Sequence, residues 1–294
     1  MSAAWQVRDR ALSLEHPLVM GIVNVTPDSF SDGGRHADAD LAIAHALTLL
    51  DEGADLVDIG GESTRPQGAE PVSAVEEMRR VLPVIRGVLA ERPDAVVSVD
   101  TVKGTVAEAA VSAGAHIVND VSGGRLDATV ARVSAESGAG LVVMHSRGGV
   151  ADMATYQHAD YDGDVLATVL AELRVRVDAA LAQGVGRGQL VVDPGIGFSK
   201  HPAASLRLLG CLPALVAWGF PVLVGASRKR FIGALTTMPE PALRVHGSVG
   251  AAVASYERGA RIFRVHDVAA TRQALDVAAA IHAAGQPGRS ALHE

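Results

Sequence analysis

The sequence contains one cysteine, Cys211, in 294 residues. No intramolecular disulfide and no cysteine-based zinc site can be built from it. Aromatic residues make up only 3% of the chain. That is few for a protein that stacks successive bases, and it argues against single-strand nucleic-acid binding. The formal net charge of −7 argues against a general polyanion binder. An anionic ligand would have to meet a local basic cluster. No uncharged apolar run approaches the ~18 residues of a membrane span. The N-terminus has no basic stretch followed by an apolar one, as a signal peptide would. A cytoplasmic protein is the resulting expectation, with no membrane and no nucleic-acid partner.

Hydrophobic residues are plentiful, at 48%, enough for a large core. They occur in a repeated device. The run Leu18 to Val23 reads as a buried strand; it ends at Asn24 and opens into the polar loop Thr26-Pro-Asp-Ser-Phe-Ser-Asp-Gly-Gly34. Strands are likewise predicted over 56–60, 95–100, 115–120, 140–145, 189–193, 221–225 and 261–265. Helices are predicted over 39–52, 72–89, 102–113, 127–137, 165–183, 203–218, 243–258 and 268–284. Strands alternating with helical patterns imply parallel βαβ units. Eight such units in a chain of this length imply one (β/α)₈ TIM barrel, an α/β fold. An open doubly wound sheet would carry a dinucleotide fingerprint, which is missing. The organisation expected is an extension over 1–17 with a strand across the barrel bottom, a barrel over 18–284, and a flexible tail over 285–294.

In this fold chemistry sits at the carboxyl ends of the strands. The polar residues predicted there are Asn24, Asp58, Asp100, Asn119, Asp120, Asp193, Ser227-Arg-Lys229 and Arg264-Val-His266-Asp267. A single polar residue at a strand end is commonplace; their recurrence around one rim carries the argument. Asp100, Asn119 and Asp193 suit a flat heterocycle with adjacent N–H donors, such as a 2-aminopyrimidinone, because a carboxylate accepts two N–H bonds and an amide both donates and accepts. Lys229 is a candidate partner for a carboxylate or a ligand carbonyl. The competing reading is a structural salt-bridge network. Arg264 and His266, two apart on extended chain, point the same way. Arg228-Lys-Arg230 is expected to open a helix, whose positive end favours anions. A diphosphate with Mg²⁺ at Asn24 fits that half. Met144 reads as an apolar wall, and His36, His45 and His158 as surface residues.

Eight segments then carry a family resemblance: Gly21-Ile-Val-Asn-Val-Thr-Pro-Asp-Ser-Phe-Ser-Asp-Gly-Gly34, Asp58-Ile-Gly-Gly-Glu-Ser-Thr-Arg-Pro66, Ser98-Val-Asp-Thr101, Ile117-Val-Asn-Asp-Val-Ser-Gly123, Val143-Met-His145, Asp193-Pro-Gly-Ile-Gly-Phe198, Gly225-Ala-Ser-Arg-Lys229 and Arg264-Val-His-Asp267. Together they resemble the dihydropteroate synthases, folate-pathway transferases targeted by sulfonamides. The resemblance implies condensation of 6-hydroxymethyl-7,8-dihydropterin diphosphate with p-aminobenzoate, giving 7,8-dihydropteroate and diphosphate. It implies catalytic roles for Asp100, Lys229, Arg264 and His266. Asp100, Asn119, Asp193 and Lys229 would bind the pterin, with Met144 against its ring and Gly225 in the same binding set. Asn24, Arg264 and His266 would hold the diphosphate, Asn24 also meeting Mg²⁺. Thr64, Arg65, Pro66, Phe198 and Ser227 would form the p-aminobenzoate pocket. A first loop around Pro27, Asp28 and Phe30, hinged at Gly33 and Gly34, would close over it. A homodimer is also implied.

The sequence departs from the family after Met144-His145, where Ser146-Arg-Gly-Gly replaces a Met-Gln-Gly-like run. Two other readings share the acidic pterin end. A corrinoid-type methyltransferase would need neither the Arg/His diphosphate site nor the Ser-Thr-Arg-Pro loop, and a non-catalytic pterin binder should have lost some of those residues.

Overall fold

A computed structural model describes residues 4–25, 34–63 and 71–285. The first-loop residues Pro27, Asp28, Phe30 and Gly33, and the second-loop residues Thr64, Arg65 and Pro66, lie outside the described residues. Gly34 is the first residue of a helix.

Ten strands are described. Two, β1 (Ala4–Val7) and β2 (Arg10–Ser13), form an antiparallel hairpin. The other eight alternate with helices: β3 (Leu18–Asn24), α1 (Gly34–Asp51), β4 (Leu56–Gly60), α2 (Ala74–Glu91), β5 (Val97–Asp100), α3 (Gly104–Ser112), β6 (Ile117–Asp120), α4 (Thr129–Ser137), β7 (Gly140–Met144), α5 (Val165–Ala182), β8 (Leu190–Asp193), α6 (Pro202–Gly210), α7 (Leu212–Val216), β9 (Leu223–Val224), α8 (Arg230–Thr236), α9 (Val245–Glu257), β10 (Ile262–Val265) and α10 (Val268–Ala284). The eight run parallel in the spatial order β8-β7-β6-β5-β4-β3-β10-β9. A bridge between Val192 and Val222 joins the two edges and closes the expected barrel.

Both faces of these strands are covered, which explains their unbroken apolar runs. The outward residues pack on helices that each offer one apolar stripe. Helix α2, for instance, buries Val81, Val84, Ile85 and Val88, spaced as one face of a 3.6-residue turn. Each such side chain contributes about 1.5–3 kcal/mol when fully buried. Ser73 caps this helix, its side chain accepting the Glu76 N–H.

The inward residues, two apart along each strand, change character from bottom to top. At the bottom Leu18, Met20, Leu56, Val96, Ile117, Val142, Val191, Leu223 and Ile262 form one apolar cluster. Continuing upward on the same faces are Asp58, Ser98, Asn119, Met144, Asp193, Gly225 and Arg264. The hairpin plugs the apolar end: Trp5 and Val7 are fully buried in that cluster, and Trp5 Nε1–H donates to the Gln189 carbonyl at 2.7 Å. The strand expected across the barrel bottom is thus a two-stranded hairpin.

Two local expectations need correction. The helix expected over 203–218 breaks at Cys211, because Pro213 in the first turn of α7 has no N–H to continue α6. The strand expected over 221–225 shortens to Leu223–Val224. The helix expected to open at Arg228-Lys-Arg230 is α8, which begins at Arg230.

Candidate functional site

The strand register stacks Asn24, Gly60, Asp100 and Asn119 side by side on β3 to β6, as mutual Cα partners. Gly60 has no side chain, and a Cβ there would sit 3.4 Å from that of Asp100. The gap lets Asp100 and Arg264 meet across the barrel mouth. Arg264 Nη2 donates to Asp100 Oδ2 at 2.7 Å, and its Nε donates to Asp58 Oδ2 at 2.6 Å. The same Asp58 oxygen accepts from Asn119 Nδ2 at 2.9 Å. Asp58, which the sequence reading put on the rim without a role, is therefore a hub. Its signal was visible: a charge inside the apolar run Leu56-Val-Asp-Ile, two residues before a glycine.

Burial pushes the Asp100 carboxyl up to about 7, although the Arg264 charge pulls it down. Asp193, on β8 across from Met144, is pushed up to about 6 by burial. The Gly195 N–H, donating to its Oδ1 at 2.6 Å, opposes that shift. Lys229 is drawn down to about 8, first by burial and then by the Arg264 charge. Its Nζ stands 4.1 Å from the centroid of the Phe198 ring. Phe198 and Met144 share an apolar cluster with Met153 and Val102. Gly225 lies between the two chemical halves, its missing Cβ position 4.0 Å from Asp193 Oδ2 and 3.9 Å from Arg264 Cβ.

His266 follows β10. Burial and the nearby Arg228 and Arg264 charges depress it to about 3, so the imidazole is neutral at pH 7. Its Nδ1 lies 3.1 Å from Ser227 Oγ, and its backbone N–H donates to the same oxygen at 3.2 Å. Ser227, expected at the p-aminobenzoate pocket, thereby touches a residue expected at the diphosphate.

The Arg228-Lys229-Arg230 triplet does not act as one basic patch. Arg228 forms a two-point pair with Asp267, at 3.0 and 2.5 Å. Arg230 donates to the Ala154 carbonyl and stacks on Tyr156. Only Lys229 turns toward the site. Asp120 is likewise structural: it accepts the backbone N–H groups of Ser122 and Gly124 and the Ser122 hydroxyl. His45 is exposed, as expected, but His158 is not a plain surface residue. It is half-buried and pairs with Asp152 at 2.8 Å.

The atypical stretch after Met144 is well anchored. His145 is fully buried between Glu172 Oε2, 3.0 Å from its Nε2, and Lys200 Nζ, 2.9 Å from its Nδ1. Arg147 pairs with Glu172 and stacks on Tyr161, whose hydroxyl donates to the Ser199 carbonyl at 2.9 Å. Ser199 Oγ is 2.9 Å from the Arg147 carbonyl and 3.0 Å from that of Met153, holding the stretch against the loop after β8. No sequence signal had singled out Lys200 or Glu172.

Asn24 is half-buried at the end of β3 and offers one neutral carbonyl oxygen on the rim. A Mg²⁺ ion carried by phosphate oxygens keeps most of its water and asks for only one or two protein oxygens. The residue fits that demand.

The family model for pterin binding enzymes matches residues 20–266. The chain belongs to this family, among the dihydropteroate synthases. A Mycobacterium leprae dihydropteroate synthase is 46% identical over 94% of this chain and 97% of its own length. A Xanthomonas albilineans dihydropteroate synthase solved with 4-aminobenzoic acid superposes with a TM-score of 0.87 and 47% identity, covering 95% of this chain and 99% of that one. A Yersinia pestis dihydropteroate synthase solved in a sulfonamide drug complex gives 0.85 and 41%, over 95% and 99% of the two chains. Dihydropteroate synthase relatives thus match this chain along nearly its whole length.

Proposed function

We propose that this synthase joins 6-hydroxymethyl-7,8-dihydropterin diphosphate to p-aminobenzoate, with Asp100, Asn119, Asp193 and Lys229 holding the pterin and Arg264, His266 and Asn24 the diphosphate. The observation that carries the reading is the junction at Arg264. One guanidinium joins the acidic half of the barrel mouth, through Asp58 and Asp100, to the strand that runs on into His266.

The chemistry follows from the charges. The methylene C–O bond breaks and diphosphate leaves with the bonding pair; the arylamine nitrogen bonds to that carbon through its lone pair and releases a proton to diphosphate or solvent. Positive charge grows on the pterin beside Asp100, whose carboxylate stabilises it as a preorganised charge. Negative charge grows on the leaving group, toward Arg264 and the neutral His266, which can still donate from a ring N–H. Mg²⁺, when bound at Asn24, would add Lewis-acid neutralisation of the diphosphate. Positioning the weakly basic amine against the methylene supplies much of the remaining rate. Thr64, Arg65, Pro66, Phe198 and Ser227 would seat p-aminobenzoate, and sulfonamides would take its place there. A soluble homodimer is part of this reading; among the described residues no helix is long and apolar enough to cross a membrane.

Purified protein given both substrates and Mg²⁺ should make 7,8-dihydropteroate, detected by mass, with a sulfonamide inhibiting competitively against p-aminobenzoate. Pterin binding without product would favour the non-catalytic reading instead.

A further inference from the structure

Deepening the proposed function and resting on it, we infer that Asp58 is a positioning residue that presets the diphosphate-facing Arg264 and the pterin-facing Asn119 together. It lies on the inward face of β4, two residues below Gly60 and so one layer beneath the rim. Its relative exposure is 0%. Its Oδ2 accepts from Arg264 Nε and Asn119 Nδ2, on strands to either side of it in the barrel.

Two consequences follow from donor and acceptor chemistry alone. An ionised carboxylate only accepts, so the end of Asn119 that faces Asp58 must be its NH₂. The amide oxygen of Asn119 is then fixed as the group offered toward the ligand. With Nε on Asp58 and Nη2 on Asp100, Arg264 has two of its three nitrogens committed to protein. Among the described residues Nη1 has no partner, which leaves it for an anion, on a side chain that is 21% exposed. A free arginine must give up rotamer freedom to bind, and a clamp at two points removes that cost before the ligand arrives. Asp58 Oδ1 is buried with no hydrogen-bond partner among the described residues. Both of its hydrogen bonds, to Arg264 and to Asn119, therefore run through Oδ2.

The test uses the full-length protein and calorimetric binding of Mg-diphosphate and of a pterin, with steady-state kinetics alongside. Asp58→Asn keeps the shape and removes the charge; Asp58→Ala removes the acceptor. Both should weaken diphosphate and pterin binding by about tenfold or more, the scale of losing an outer partner to a binding side chain, while KM for p-aminobenzoate stays within about twofold. In an Arg264→Ala background, Asp58→Ala should add nothing further to the loss of diphosphate affinity. A full additional loss there would make Asp58 a direct ligand and overturn the inference. So would unchanged ligand affinities with only a lowered Tm, or an equal rise in KM for p-aminobenzoate. If Asp58→Ala does not fold, Asp58→Asn carries the comparison. Wild-type protein that binds no diphosphate would sink the proposed function; wild type that binds it, with both variants binding equally well, would sink only the role of Asp58.

Discussion

Individual residues here do different work according to their partners, whatever their type. Of three consecutive basic residues, Arg228 and Arg230 are spent on Asp267 and Ala154, and only Lys229 serves the site. The acidic residues divide likewise: Asp120 caps a turn, while Asp100 stays in the mouth beside Arg264. This sorting sets the expected pH dependence. Burial raises Asp100 to about 7, so its carboxylate is lost below that pH; burial lowers Lys229 to about 8, so its positive charge is lost above that pH. The kcat/KM for the pterin diphosphate should therefore be highest between about pH 7 and 8 and fall on both sides. Lys229→Arg cannot deprotonate in this range and should shift the alkaline limb outward. A profile flat from pH 6 to 9 would contradict these assignments.

At the scale of elements, the loop after β8 shows how backbone freedom builds the site. Gly195 has φ of +68°, and a Cβ there would come 1.9 Å from the His145 carbonyl oxygen. Only glycine fits this turn, which also delivers the N–H to Asp193. Gly195→Ala should destabilise the fold by about 2 kcal/mol or more in denaturant unfolding and weaken pterin binding. A variant of normal stability would show that the turn tolerates a side chain. Elements were legible in the sequence wherever hydrophobic period and length agreed, and α10 matches its predicted span of 268–284. They were not legible where one proline decides the outcome, as at Pro213; for the seven-residue α8 the start was legible but the end was not. Partner choice was also hidden. The Leu56-Val-Asp-Ile run placed Asp58 at the rim, but Arg264, which it grips, lies 206 residues away.

Over the whole molecule, stability and chemistry occupy opposite ends of one barrel. The apolar bottom is sealed by Trp5 and Val7; the polar top gathers Asn24, Asp100, Asn119, Asp193, Lys229 and Arg264. That division was readable from the recurrent device of an apolar strand ending in a polar residue, because parallel strands must all finish at the same rim. The plug was less readable, since four-residue strands leave little pattern. Trp5→Ala should cost about 3–5 kcal/mol of stability, as large aromatic deletions from cores do, and leave both KM values near wild type. A variant with normal unfolding and impaired kinetics would reverse the assignment of the two ends.

The central claim is that Arg264 joins the pterin and diphosphate halves of one catalytic site. Its most direct test is diphosphate release from the pterin diphosphate with Mg²⁺, with and without p-aminobenzoate, for wild type and Arg264→Ala. Wild type should release diphosphate in step with dihydropteroate formation, and the variant should lose most of that rate, by about a hundredfold or more. Wild-type coupled release that persists unchanged in Arg264→Ala would contradict the account.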